Sequence, residues 1–267
     1  MKIRCGYKIA YDVRQPCVMI LVLNVAPDRE ADLITPDLVT FDRPVEMTEY
    51  RDLFGNRCLR IKAEPGPLAI TNDFLIEDSG LEDEVAPDAE QQLVEHLPPE
   101  TLVYLLGSRY CDTQHLASTA WATFGHLRGW PLVQAIVDYA HERITFGYGF
   151  ARATKTAAEA HEERQGVCRD FAHLAVTLCR CLNVPARYTT GYLGDIGVPP
   201  VKDPMDFSAW FEVYLGGRWY TFDARHNRPR IGRIVMARGR DAADVAIVTS
   251  FGNCWMTGFE VITEEVA

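Results

Sequence analysis

The amino-acid sequence lacks most of the features that mark whole classes of protein. Its longest apolar run, Cys17–Leu23, falls far short of the roughly 20 residues a membrane-spanning helix needs, and reads as a buried strand. It has no Lys/Arg cluster, and 37 acidic against 27 basic residues give a formal charge of −10. A surface for neutralising phosphates is therefore missing, which excludes a general nucleic-acid binder. No apolar stretch precedes Asp12, and the charged opening Met1–Lys8 leads to an expected cytoplasmic location with no membrane association.

Regular cysteine spacing is also missing. The eight cysteines, at 5, 17, 58, 111, 168, 179, 181 and 254, form no compact disulfide framework, and in a reducing cytosol most would serve as small packing residues. Cys179 and Cys181 on one helix would point about 200° apart, which keeps them from sharing an ion. There is no Asp-x-Asp-x-Asp-Gly calcium loop and no other convincing ligand spacing, so neither a metal nor a cofactor is expected. Internal repeats and low-complexity tracts are absent.

What is present fits a globular chain. The 48% hydrophobic and 24% charged fractions are ordinary, and 267 residues can supply two cores. Short strand-like runs fill the first ninety residues: Lys2–Tyr11, Cys17–Val25, Leu38–Phe41, Arg57–Lys62 and Leu68–Ile76. Asp52–Arg57 reads as a hairpin loop and Glu64-Pro65-Gly66-Pro67 as a second break. The acidic segment Glu77–Glu100 has no clear period and reads as a solvated linker.

Helical patterns then take over at Gln114–Gly125, Pro131–Ile144 and Thr156–Glu163. Leu132, Val133, Ile136, Val137, Ala140 and Ile144 form the stripe of the second, with Pro131 suited to its first turn. Strand-like runs return at Ala186–Leu193, Ala209–Leu215, Arg218–Asp223 and Asp244–Thr249. Blocks of helices followed by blocks of strands indicate an α+β fold. The expected division is a small all-β, sandwich-like N-terminal domain with its linker over residues 1–95 and a core over 96–267.

The segment Gly166-Val167-Cys168-Arg169-Asp170 puts a cysteine at the start of a strongly periodic helix, Cys168–Leu182. Phe171, Leu174, Ala175, Leu178 and Leu182 make its apolar stripe, and Cys168 sits about 60° from the stripe's centre, in the first turn. Free N–H groups and the positive end of the helix dipole favour a thiolate there. A thiol in that position can act as a nucleophile.

Four blocks, in this order and spacing, resemble the transglutaminase-like superfamily. They are Thr156-Ala157-Ala158-Glu159-Ala160, Gly166 to Leu174, Val184-Pro185-Ala186-Arg187-Tyr188-Thr189-Thr190-Gly191-Tyr192, and Ala209-Trp210-Phe211-Glu212-Val213-Tyr214 continuing to Trp219-Tyr220-Thr221-Phe222-Asp223. The likeness spans roughly residues 100 to 255, and the N-terminal β segment resembles the extra domain of bacterial members. It implies a papain-like core with a Cys–His–Asp triad, in which Cys168 is the nucleophile and Asp223 the aspartate. The family's histidine immediately precedes Ala-Trp, and here Ser208 holds that position.

Periodicity alone arranges the hairpin. With Gly216-Gly217 as a two-residue turn, Leu215 pairs with Arg218, Trp210 faces Asp223, and Ser208 lies diagonal to Asp223 on one face. A serine hydroxyl cannot act as a base near neutrality. His226 becomes a substitute base only if the strand ends near Ala224 and Arg225-His226-Asn227 curls back, which Asn227 and Pro229 favour. His173 lies about 140° around its helix from Cys168, away from the apolar stripe and unsuited to direct contact with the thiol. His96, His115, His126, His141 and His161 carry no motif and read as surface or structural residues. Gln165 is either an oxyanion donor or a solvated turn residue, with the Cys168 amide the better donor. Trp210, Trp219 and Tyr220 either wall a substrate cleft or belong to the core. Arg169 and Asp170 are expected to pair locally or cap the helix.

Two functions remain open. One is thiol-dependent acyl transfer, with hydrolysis of a peptide or protein amide through a Cys168 acyl-thioester favoured over cross-linking because water is the default acceptor. The other is a catalytically impaired binding or assembly module that lost turnover through Ser208. The sequence leaves the oligomeric state and the substrate's identity open.

Overall fold

The computed structural model describes residues 1–201 and 205–266. Six strands come first: β1 (Lys2–Val13), β2 (Cys17–Leu21), β3 (Thr40–Phe41), β4 (Glu46–Arg51), β5 (Arg57–Ala63) and β6 (Gly66–Glu77). The middle holds α1 (Thr113–Phe124), α2 (Gly129–Arg143), β7 (Thr145–Phe146), α3 (Ala157–Glu163), β8 (Gln165–Gly166) and α4 (Cys168–Cys181). The chain closes with β9 (Ala186–Leu193), β10 (Ser208–Leu215), β11 (Arg218–Phe222), β12 (Arg233–Gly239), β13 (Val248–Phe251) and β14 (Cys254–Val266). The architecture is α+β, with a transglutaminase-like core beside antiparallel β-layers. Among the described residues no helix is long and apolar enough to cross a membrane.

Three antiparallel sheets run in the orders β14-β1-β6-β3, β13-β2-β5-β4 and β11-β10-β9-β12. The first two enclose an apolar core built on alternating inward residues such as Ile3, Ile9, Met19, Leu21, Ile61 and Ile70. Their outer strands come from the chain's far end: β14 pairs with β1 from Lys2↔Val266 to Val13↔Cys254, and β13 pairs with β2. A division at residue 95 therefore leaves two strands of the N-terminal sheets on the other side of the boundary. The strand expected at Asp244–Thr249 begins instead at Val248, because Asp244 accepts hydrogen bonds from Arg240 and closes a turn.

The third sheet packs α1–α4 against β10 and β11 through Phe171, Leu174, Phe211, Val213 and Phe222. Residues of β9 and β12, namely Tyr192, Ile234 and Met236, enter the N-terminal core, so the third sheet touches both cores.

Helix α4 is buried well beyond its apolar stripe, and most of its polar groups are satisfied internally, as burial requires, the buried His173 Nδ1 being the exception. Arg180 donates to the carbonyls of Ala186, Leu106 and Arg240. Thr177 donates to the His173 carbonyl. His173, expected away from the packed face, is buried and stacked on Tyr110 with centroids 5.2 Å apart. Its Nε2 accepts the Ala242 N–H at 3.1 Å, a partner contributed by a loop about 70 residues away that helix periodicity cannot anticipate.

The Glu77–Glu100 segment is not simply a solvated spacer. Asp83 accepts from the Arg230 N–H and from Arg233 Nε, which docks the segment against the third sheet. This contact brings the segment to the candidate site.

Candidate active site

Cys168 opens α4 because the chain turns there on a local cap. Val167 precedes the helix, and its N–H donates to Asp170 Oδ2 at 2.9 Å, one of the reciprocal contacts of a helix start. Arg169 pairs with the same Asp170 side chain through Oδ1. Gly166 is required by this packing, since a Cβ there would sit 2.7 Å from the Asp170 Cβ.

The sulfur's environment pulls in two directions. Burial pushes the Cys168 thiol up to about 11, while the Arg225 guanidinium and the N–H groups of Ala209 and Arg169 favour the thiolate. The helix start alone led to the opposite expectation, a lowered thiol. Packing against Ala172, Tyr188 and Ala209 removes water from the sulfur and outweighs the helix-end effect.

Ser208 starts β10 and is buried, with its carbonyl accepting from Thr190 Oγ1. Beside it, β10 and β11 form the hairpin expected from Gly216-Gly217. Leu215 pairs with Arg218 and Phe211 with Phe222, and both glycines have positive φ, as the favoured two-residue turn demands.

Strand β11 ends at Phe222, and Asp223 then rolls the chain into a turn. Its Oδ1 accepts the N–H groups of Arg225 and His226, both at 3.0 Å, an aspartate-nucleated turn. Asn227 closes it at φ 49°, a left-handed conformation asparagine tolerates. The curl returns the His226 ring to Asp223, with Nδ1 2.8 Å from Oδ2. Oδ2 also accepts from Arg233 Nη2 at 3.0 Å.

Burial alone would raise the Asp223 carboxyl. The Arg233 charge and the His226 contacts overcome it and hold the group well below the usual carboxylate range. An ionised carboxylate only accepts, so the hydrogen between the two residues belongs to His226 Nδ1, and in the neutral tautomer of that ring Nε2 carries the lone pair. Arg233 continues the chain of charges to Asp83 through Nε at 2.9 Å and lies over the Trp210 ring, 4.9 Å from its centroid.

Cys168, Ser208, Arg225 and His226 line one cavity of about 90 Å³. Cys168 and Ser208 also line a wider one of about 490 Å³, with Tyr110, Val167, Tyr188, Val245 and Ile247. Cys168 and His226 thus line one space, while imidazole and carboxylate are directly bonded.

Three other residues marked by the sequence lie elsewhere. Gln165 is exposed in β8, where its carbonyl accepts from Lys155, and neither cavity includes it. Trp210 is 1% exposed and belongs to the core with Ala26, Leu193 and Val235, not to a cleft wall. His173 is held by Tyr110, Tyr188 and Ala242. Sequence reasoning missed Arg225, Arg233 and Asp83. Only the short Asp-Ala-Arg-His spacing pointed to Arg225, and nothing local pointed to the other two.

A part-buried thiol at a helix start thus shares a cavity with an imidazole that an ionised carboxylate holds, on an α+β framework. Comparison with known proteins agrees. The model of the transglutaminase-like superfamily matches residues 126–224, which include Cys168, Ser208 and Asp223 and stop just short of His226. The crystal structure of a candidate cysteine protease from Cytophaga hutchinsonii superimposes with a TM-score of 0.83 at 31% identity, covering 99% of this chain and 90% of that one.

Among curated relatives, the uncharacterized protein Rv2569c of Mycobacterium tuberculosis is 36% identical over 129 residues, 43% of this chain and 40% of that protein. The uncharacterized protein ML0607 of Mycobacterium leprae is 28% identical over 117 residues, 43% of this chain and 42% of that protein. The chain thus spans about two fifths of the length of these relatives. The chain belongs to the transglutaminase-like superfamily. Membership supports thiol-dependent acyl transfer as its class of chemistry.

Proposed function

We propose that this protein is a cysteine amidase or peptidase in which Cys168 is the nucleophile, His226 the base and Asp223 the residue that orients it. The observation that carries this reading is the 2.8 Å bond between His226 Nδ1 and Asp223 Oδ2 beside the cavity that also contains Cys168. It supports an imidazole base for the thiol although Ser208 stands where the family has its histidine. The impaired-module reading rested on the lack of a base, and this geometry gives it no support. The likeness to a candidate cysteine protease adds to the case for a peptide or protein amide as substrate.

The chemistry follows from the residues. His226 Nε2 takes the Cys168 proton as the sulfur attacks the amide carbonyl carbon, forming the C–S bond. First-turn amides of α4, which a helix leaves without internal partners, face the developing oxyanion. The C–N bond then breaks, and the leaving amine takes its proton from the imidazolium. Water enters, gives a proton to His226 and attacks the thioester, so that a C–O bond forms, the C–S bond breaks, the acid leaves and the Cys168 sulfur takes its proton back from the imidazolium. A resting thiol held neutral by burial avoids idle oxidation of a thiolate, and proton transfer to His226 is coupled to attack. Water, the default acceptor, resolves the thioester.

Incubation with p-nitrophenyl acetate followed by intact-mass measurement tests the reading. One acetyl group, released by hydroxylamine and absent in Cys168→Ala, is expected. An unmodified wild-type protein, or acetylation that persists in Cys168→Ala, would reject the proposal.

A further inference from the structure

The smaller cavity carries more charge than the proposed reaction uses. Three arginines, Arg225, Arg228 and Arg230, line it together with Cys168 and His226. Arg230 is the most informative, because it is only 4% exposed. Its side chain makes one hydrogen bond among the described residues, from Nη2 to the Gly194 carbonyl at 2.8 Å, and its buried Nε has no partner there. Burial pushes the Arg230 guanidinium down, with the Arg233 and Arg228 charges adding to the effect and the Asp223 and Asp195 carboxylates opposing it. A buried guanidinium with no carboxylate hydrogen-bonded to it is costly, and proteins ordinarily pair it directly. Arg225 lies over the Phe146 ring at 3.8 Å, and Arg228 is exposed.

Two carboxylates also line the cavity. Asp195 is occupied by the Val201 N–H at 2.8 Å. Burial pushes the Asp206 carboxyl up, although the Phe207 N–H and Arg225 oppose this. Neither is hydrogen-bonded to Arg230.

Geometry decides which part of a substrate this cavity receives. The proton for the leaving amine comes from His226, so the portion beyond the scissile bond lies on the His226 side. That side is the charged cavity, which His226 lines, and the wider cavity, which Cys168 lines without His226, is left for the acyl portion. At about 90 Å³ the charged cavity is smaller than the roughly 150 Å³ apolar cavity that accepts benzene. Its enclosed part suits a short residue.

We infer that this cavity binds the carboxylate of the leaving amino acid, with Arg230 as its buried partner, so that the enzyme cuts immediately before a small residue bearing a free C-terminal carboxylate. The assignment rests on the reaction proposed above and narrows its substrate class. A carboxylate paired with a guanidinium forms two charge-assisted hydrogen bonds, a match an amide cannot offer.

Calorimetric titration with alanine and with alaninamide reads the cavity without turnover. Alanine should bind about tenfold tighter than alaninamide, the effect expected of one partly buried charge pair. The preference should survive in Cys168→Ala and vanish in Arg230→Met. Because Arg230→Met alters a buried site, the exposed Arg228→Gln provides a second variant, with a smaller loss of preference. Equal affinities, tighter binding of the amide, or no binding of either in the wild type overturns the inference. A protein that fails to acetylate at Cys168 but still prefers alanine would reject the catalytic reading and retain the anion site, so the two failures are distinguishable.

Discussion

At the scale of single residues, the site depends on how Asp223 divides its two oxygens. Oδ1 holds the backbone turn and Oδ2 holds the His226 ring and Arg233. One carboxylate therefore both builds the loop and orients the imidazole on it. His173 shows the opposite use of a histidine. Burial, with the Arg169 and Arg180 charges, pushes its imidazolium well below the ordinary value. Its folded value lies below its unfolded one, so the unfolded chain binds more protons in acid. Its effect on stability is absent above about pH 6.5 and becomes a growing loss as pH falls below it. The drop in urea midpoint from about pH 7 to about pH 5 should be smaller in His173→Gln than in wild type. An equal drop would show that His173 does not carry this acid sensitivity. Ser208 at the family position and the Asn227–Pro229 turn were legible from sequence because each is a local signal. Arg230's lack of a partner was not, since isolation in space leaves no mark on neighbouring residues.

At the scale of elements, β12 links the site to the rest of the fold. Its first residue, Arg233, joins Asp223 to Asp83, binding a strand, the β11 turn and the acidic segment. Arg233→Met would leave two largely buried carboxylates without their cation, and about 3–5 kcal/mol of stability should be lost, measured by urea unfolding. A loss under about 1 kcal/mol, the level of a surface pair, would mean that water replaces the guanidinium. The β10–β11 register was legible because two glycines permit one tight turn and alternation fixes the rest. Strands β4, β12 and β14 were not. β12 is buried over most of its length and shows little alternation, while β14 is an edge strand with Trp255, Met256 and Phe259 exposed. Long-range pairing to β1, not local pattern, defines β14.

At the scale of the whole molecule, both cores share the third sheet, and the last two strands complete the first sheets. The expected α+β class and papain-like core were legible because their motifs are local and ordered. The return of the chain's end to its beginning was not, because strand partners 250 residues apart carry no common signal. This interlocking leads us to propose a single cooperative unfolding unit, in which far-UV circular dichroism and tryptophan fluorescence give coincident urea transitions. Two separated transitions would indicate units that unfold independently. The catalytic proposal turns on which residue replaces the family's histidine, and side-by-side kcat measurements on His226→Gln and Ser208→Ala with one amide substrate test it most directly. His226→Gln should lower kcat by about 10²- to 10⁴-fold, the usual worth of a positioned base, while Ser208→Ala stays within a few-fold of wild type. Near-normal turnover in His226→Gln with collapse in Ser208→Ala would contradict the assignment of His226 as the base.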